Sequence, residues 1–382
     1  MMRKSSIQMA DWKATHYQKK LMKQVLKSGR LTYGDKTREL EEKFAKIHGA
    51  KYALFTNSGT SALKISLHAL KDRHGWKDGD EVIIPAVTFV ATMNVVLMNN
   101  LKPVLVDVKP DTVNIDPELI EKAITKRTVA IMPVHLLGQP AEMDAIMKIA
   151  KKHKLEVVED SCETMFVNKL RGTTACFSSY IAHLMVTGVG GFILTNDKKL
   201  ATEMRSIMFH GRDESYLNID DRPKDISKRF WFPRHGYSDR ATEMEAAIGL
   251  GDLKNYKKMI KVRQDNARYV YFHISAIMAR AWEDEAPGFR WGPVTDINNH
   301  AFMFLPLLVP KRDELMVYLE KQGIQTRTMM PLTTQPVVRP YVKKEYPVAQ
   351  YINDYGLLIG CHQYLKKKEL DYIINSVRSF YE

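Results

Sequence analysis

The chain has 382 residues, 45% of them apolar and 26% charged, with a formal net charge of +13. That length suits one large domain plus a smaller one, and the composition is that of an ordinary globular protein, which excludes disorder as the default. The positive balance does not read as a nucleic-acid stripe. Runs such as Lys151 to Lys154 and Lys254 to Lys261 are scattered, and they accompany apolar residues at helical spacing, as on solvated helix faces.

The N-terminus runs from Met1-Met2-Arg3-Lys4 into the polar segment Gln8 to Gln24, without the apolar core of a signal peptide. The two long uncharged stretches, Val82 to Leu101 and Thr173 to Asn196, carry Pro85 with three asparagines in one and His183 with several glycines in the other. Buried strands and turns explain them better than membrane spans. Cys162, Cys176 and Cys361 are too few and too far apart for a disulfide framework or a four-cysteine cluster. We therefore expect a cytoplasmic protein with no metal, no membrane contact and no nucleic-acid partner.

From Lys51 to Asp197, short apolar runs alternate with helical patterns. The strand candidates are Tyr52–Phe55, Glu81–Ile84, Val104–Val106, Val129–Pro133, Leu155–Val158, Cys176–Ile181 and Phe192–Thr195. Helical spacing marks Ser61–Lys71, Val90–Met98, Pro117–Ile124 and Met143–His153. Such alternation predicts an α/β fold with a large, mostly parallel sheet covered on both faces. Ala241–Ile274 reads as long helical sequence that links this domain to the rest. A smaller C-terminal α/β unit follows, with strands at Ala301–Val309 and Ile324–Thr328 and helices at Asp313–Gln322 and Lys367–Tyr381. We place the division at 1–285 and 286–382.

Ligands in open parallel sheets bind beyond the carboxyl ends of the strands. Four signals fall there. Ser58-Gly59-Thr60-Ser61 follows a strand and opens a helix, the place for an anion or for a plain helix cap. Val157-Val158-Glu159-Asp160 delivers a carboxylate to the edge, able to pair with a protonated ring nitrogen or to cap a helix. Phe89 follows another strand, available for stacking on a flat ring or for packing. Finally, Phe177 to Gly191 is a polar loop with His183 inside it and a Gly-rich exit.

Together with Arg30-Leu31-Thr32-Tyr33-Gly34, Pro103 to Val108, His135 to Pro140, Phe209-His210-Gly211, Gly236-Tyr237 and Ala246 to Leu250, these motifs resemble the DegT/DnrJ/EryC1/StrS sugar aminotransferases and dehydratases. That resemblance spans nearly the whole chain. It implies the aspartate-aminotransferase fold (fold type I) and pyridoxal or pyridoxamine 5'-phosphate as cofactor. It also implies a nucleotide-linked keto-sugar as substrate, glutamate as amine donor, and a homodimer with active sites at the subunit boundary. By position it implies that Ser58, Gly59, Thr60 and Ser178 bind the cofactor phosphate, with Ser238 standing where an asparagine commonly reaches the phosphate of the neighbouring subunit. Phe89 would stack on the ring, Asp160 would contact the ring nitrogen, and Glu163 would lie against the cofactor. His210 and Arg327 are candidate substrate or donor contacts, with capping or surface roles equally open to them.

In aminotransferases of this group a lysine lies seven residues before the closing Gly-Gly pair, here Gly190-Gly191, and the residue at that place is His183. An imidazole cannot condense with the cofactor aldehyde as an amine does, but it moves protons near neutral pH. The pattern resembles the lysine-less branch, the sugar 3-dehydratases of deoxysugar and O-antigen biosynthesis. It implies removal of the C3 hydroxyl of a 4-keto-6-deoxyhexose, GDP-linked in the first instance. An aminotransferase with an atypical site and a decayed nucleotide-sugar binder are the alternatives. Val189, Phe89, Phe166 and Ser238 depart from the common family residues and bear on specificity.

Overall fold

The structure is a computed structural model and describes residues 6–212, 230–283 and 292–382. Seven strands form the main sheet: β1 (Tyr52–Thr56), β2 (Glu81–Pro85), β3 (Lys102–Val106), β4 (Thr128–Ile131), β5 (Glu156–Asp160), β6 (Thr174–Ser178) and β7 (Gly191–Thr195). Their order is β1-β7-β6-β5-β4-β2-β3. β7 runs antiparallel to both β1 and β6, and the remaining pairs are parallel. Strands such as β2, Glu-Val-Ile-Ile-Pro, are buried at every position, as expected for a sheet covered on both faces.

Helices α1 (His16–Ser28) and α2 (Asp35–Ile47) precede the sheet. α3 (Gly59–His74), α4 (Val90–Met98), α5 (Pro117–Ala123), α6 (Met143–His153) and α7 (Lys198–Met208) connect or follow its strands. α3 buries Ala62, Leu63, Ile65, Leu67, Ala69 and Leu70. Each fully buried leucine or isoleucine there contributes about 1.5–3 kcal/mol, so this helix holds its N-terminus fixed against the strand ends.

The sequence Ala241–Ile274 is not one helix. It forms α8 (Glu243–Leu253) and α9 (Tyr256–Glu283), with Lys254 and Asn255 between them. Asn255 is a weak helix former and donates its N–H back to Asp252 O at 3.0 Å. A second sheet contains β8 (Leu305–Leu308), β9 (Thr326–Thr328) and β10 (Gly356–Ile359) in the order β8-β10-β9, all antiparallel. α10 (Arg312–Lys321), α11 (Pro347–Tyr355) and α12 (Lys367–Tyr381) accompany it. The expected boundary at residue 285 lies outside the described residues.

Two sets of bonds join the sheets near the ligand edge. Leu332 N donates to Ala86 O at 2.8 Å and Thr88 N donates to Met330 O at 3.1 Å. Asp107, just past β3, accepts the Val348 and Ala349 N–H groups, each at 3.0 Å, and so caps α11. Among the described residues no helix is long and apolar enough to cross a membrane.

Candidate active site

The α3 N-terminus is the tightest point of the ligand edge. Ser58 Oγ caps the helix by accepting from Ser61 N at 3.1 Å. The first helical bond runs from Ala62 N to Ser58 O, so the N–H groups of Gly59 and Thr60 point out of the helix start. A Cβ on Gly59 would lie 2.7 Å from Cys162 Sγ and 2.8 Å from Ser178 Cβ, and one on Gly191 would meet the Ser58 carbonyl and lie 2.6 Å from Gly59 N. Glycine is therefore required at both places. The packing gathers the ends of β1, β6 and β7 around one helix start, with Ser58, Thr60 and Ser178 hydroxyls beside it.

Asp160 ends β5 and is buried. Its Oδ2 accepts from Thr92 Oγ1 at 2.8 Å, and Oδ1 accepts from Cys162 N at 3.1 Å. Thr88 Oγ1 lies 2.7 Å from Thr92 Oγ1 and donates to it, since the Thr92 proton is committed to the carboxylate. Burial raises the Asp160 pKa, while these donors and the nearby His135 oppose the rise. A cation arriving at this carboxylate would offset the desolvation. Thr92 N donates to Phe89 O, which seats Phe89 at the start of α4, and Phe89 is 54% exposed. An exposed aromatic, a buried carboxylate and a helix start with outward N–H groups, all at one sheet edge, fit a flat, phosphorylated, protonated heteroaromatic ring.

The turn after Asp160 carries two further groups. Glu163 is buried and accepts from Leu137 N at 2.9 Å. Burial, with Asp160 adding to it, pushes its carboxyl up to about 7. Behind the turn, His135 Nδ1 accepts from Ala141 N at 2.9 Å, so Nε2 carries the proton and donates to Glu159 Oε2 at 3.0 Å. Glu159 also accepts from Arg171 N and Gly172 N. This fully paired, fully buried cluster braces the ends of β4 and β5.

The strand expected over Cys176–Ile181 ends at Ser178. Beyond it the backbone closes a loop: Ser179 N to Gly190 O, Ile181 N to Gly188 O, and Thr187 N to Ser179 O, at 2.9, 3.1 and 2.9 Å. His183 sits in this loop. Its Nδ1 donates to Cys162 O at 2.7 Å, which fixes the tautomer and makes Nε2 the basic nitrogen of the ring. Burial pulls its pKa down to about 4, against the opposing pull of the Cys162 and Ser178 carbonyls, so the ring is neutral at pH 7. The flanking lysines are placed elsewhere. Lys169 donates to Ile47 O at 2.5 Å, and Lys198 opens α7 beyond the far end of antiparallel β7, at the opposite edge of the sheet.

The fold thus brings Ser58, Gly59, Thr60, Phe89, Asp160, Glu163, Ser178 and His183 to one edge. Ser238 is exposed and accepts from Arg240 Nη2 at 2.8 Å, on a segment that pairs with Thr56 through Arg240. His210 is exposed at the other side of that segment, donating its N–H to Tyr237 O at 2.8 Å. Arg327 is exposed on β9 and donates to Thr326 O at 2.7 Å, three residues before the Met330 that meets Thr88. None of the three bonds to the cluster within the chain. Thr92 and the Cys162 carbonyl are functional groups that side-chain motifs did not reveal. Thr92 had a weak signal, a hydroxyl one turn after Thr88 on a helix opening at the ligand edge.

The sheet order with one antiparallel strand, and the site at the strand ends, define the fold of the pyridoxal-phosphate aminotransferases. The Escherichia coli GDP-4-keto-6-deoxy-D-mannose-3-dehydratase with bound hydrated PLP superposes with a TM-score of 0.86 at 28% identity, over 99% of this chain and 100% of that one. Residues 13–378 match the DegT/DnrJ/EryC1/StrS aminotransferase family, and the chain belongs to it. GDP-perosamine synthase of Caulobacter vibrioides is 32% identical over 88% of this chain and 87% of its own length. GDP-4-keto-6-deoxy-D-mannose 3-dehydratase of Escherichia coli O55:H7 is 30% identical over 95% of this chain and 97% of its own. Relatives of both reaction types thus stand at the same distance, and what they share is pyridoxal-phosphate chemistry on a nucleotide-linked sugar.

Proposed function

We propose that this protein is a dehydratase that removes the C3 hydroxyl of a nucleotide-linked 4-keto-6-deoxyhexose, with the GDP-linked sugar as first choice. Pyridoxal or pyridoxamine 5'-phosphate would be held with its phosphate at Gly59, Thr60, Ser58 and Ser178, its ring against Phe89, its ring nitrogen at Asp160, and Glu163 alongside. When bound, the pyridoxamine form supplies an amine to engage the C4 ketone and an electron-withdrawing ring that eases loss of the C3 oxygen. The chain's own groups do the rest. Asp160, ionised when a cation meets it, keeps the ring nitrogen protonated. Thr92 and Cys162 N hold Asp160 in place.

His183 carries the reading. A neutral imidazole with Nδ1–H pinned to Cys162 O presents Nε2 as the proton acceptor. Once protonated, the same atom is the acid that hands a proton to the departing C3 hydroxyl oxygen. A lysine at this position would favour return of the amino group to the sugar. Glutamate is the amine donor this reading uses to recharge the cofactor, and in it Ser238 would serve the phosphate site of a second copy in a homodimer.

The aminotransferase alternative rests on relatives such as the perosamine synthase. Two measurements separate it. Borohydride treatment after PLP loading leaves no covalent lysine adduct in a dehydratase, and such an adduct at the site favours an aminotransferase. A panel of GDP-, CDP- and dTDP-linked 4-ketohexoses, offered to the pyridoxamine-phosphate-loaded protein, yields a dehydrated product. Failure of the whole panel together with failure to bind the cofactor indicates a decayed binder.

A further inference from the structure

His183 is pinned in front by Cys162 O, and its loop is also held from behind. Val186 N, three residues on, donates to Asp252 Oδ2 at 2.9 Å. Asp252 Oδ1 accepts the Gln18 amide at 2.8 Å, and the same amide nitrogen donates to Ile248 O at 2.9 Å. The next loop residue, Thr187, packs on α8 where a Cβ at Gly249 would lie 2.8 Å from Thr187 Cγ2. Gln18 is fully buried, and its side chain fills the space that a Cβ on Gly251 would need. Both helix glycines are thereby explained: one admits the catalytic loop and the other admits the side chain from α1.

Asp252 is in the last turn of α8, a turn without a basic residue. A carboxylate there opposes the helix dipole, so helix stability does not account for it. Both of its oxygens are used, one by α1 and one by the loop. Burial lifts its carboxyl to about 6, with the Val186 N–H, the Gln18 amide and the Trp12 indole opposing the lift, so it is ionised at neutral pH and accepts the Val186 and Gln18 bonds.

We propose that Asp252, backed by Gln18, is a positioning residue for the loop of His183, so that helix α1 helps set where the imidazole stands. This deepens the assignment of His183 as the proton carrier and rests on it for its kinetic consequence. In Asp252→Ala the Val186 N–H loses its acceptor. In Asp252→Asn a single amide oxygen replaces two carboxylate oxygens, so one donor meets an NH2 group. Adding Gln18→Glu to Asp252→Asn moves the carboxylate across the contact: the new asparagine donates to the new glutamate and still accepts from Val186 N, while Ile248 O loses the amide donor it has in wild type, so the restoration is partial.

The test is histidine ring NMR on 15N-labelled protein, with the His183 signals assigned by their loss in His183→Gln. Wild type shows one tautomer, protonated at Nδ1. Asp252→Ala and Asp252→Asn should mix the tautomers and move the His183 midpoint by about one unit toward an exposed ring, and Asp252→Asn with Gln18→Glu should return both toward wild type. On the dehydration assay kcat should fall about ten- to hundred-fold with KM little changed. His183 signals that stay at their wild-type positions in Asp252→Asn overturn the proposal, whether or not Asp252→Ala folds. Shifted signals with no turnover in any variant or in wild type leave the positioning intact and refute the reaction instead.

Discussion

His183 Nδ1 stands 2.7 Å from the carbonyl oxygen of Cys162, two residues beyond Asp160 on the same turn. The proposed proton carrier, in its own loop, and the proposed partner of the ring nitrogen are thus both tied to the turn that follows β5. The bond is made to a main-chain oxygen, so its geometry survives changes to the Cys162 side chain.

Replacing His183 by lysine restores a primary amine at that place. His183→Lys loaded with PLP should give a borohydride-stable covalent adduct at residue 183, mapped by peptide mass. Its dehydration rate should fall by about a hundred-fold or more, the usual scale for loss of a positioned acid–base group. Dehydration at the wild-type rate in this variant would show that another group takes the proton.

Phe89 is a large aromatic side chain left open at the site's rim. Phe89→Ala should weaken binding of the cofactor roughly three- to ten-fold, matching about 0.5–1.5 kcal/mol for an aromatic contact, while Phe89→Trp should keep or improve it. Fluorescence titration with pyridoxamine phosphate reads both.

The cradle is a matter of backbone approach. Gly191→Ala drives a methyl group into the Ser58 carbonyl and close to Gly59 N. We expect loss of phosphate-dependent cofactor binding, and a lower thermal midpoint in the cofactor-free protein. Thr60→Ala should cost binding alone, leaving the midpoint within a degree or two of wild type, as a surface hydroxyl change does.

Much of this was open to a reader of the sequence. The alternation of apolar runs and helical spacing located all seven strands of the main sheet, because buried parallel strands are continuously apolar. Asp160, Ser58 and Gly59 stood out because chemistry at strand ends is visible in the residues themselves. The Cys162 carbonyl, by contrast, is a main-chain atom that any residue would supply. Thr92 meets Asp160 across 68 positions of chain. The break at Asn255 is a single weak point inside an otherwise helical pattern, and β10, only four residues long, is not among the expected strands. The strand expected over Cys176–Ile181 stops short because Tyr180 and Ile181, despite their strand propensity, lie in a turn closed by Gly188 and Gly190.

Glu163 offers a pH test of the cofactor-free protein. Its folded carboxyl titrates near 7 against an ordinary 4.5, so between those values the folded chain holds the extra proton. This group therefore lowers stability as pH rises from 4.5 to 7, by roughly 3 kcal/mol in all. Glu163→Gln keeps an acceptor for Leu137 N and removes the buried charge. It should unfold at higher denaturant than wild type at pH 8, with the gap closing by pH 4.5.

The central claim is that the His183 site eliminates water. The most direct measurement is a single turnover of pyridoxamine-phosphate-loaded protein with GDP-4-keto-6-deoxymannose, read by mass spectrometry of the sugar nucleotide. The account predicts a product with one oxygen fewer, the 3-deoxy-4-keto sugar, and no nitrogen gained. A product that keeps its C3 oxygen and carries an amino group at C4 would contradict it.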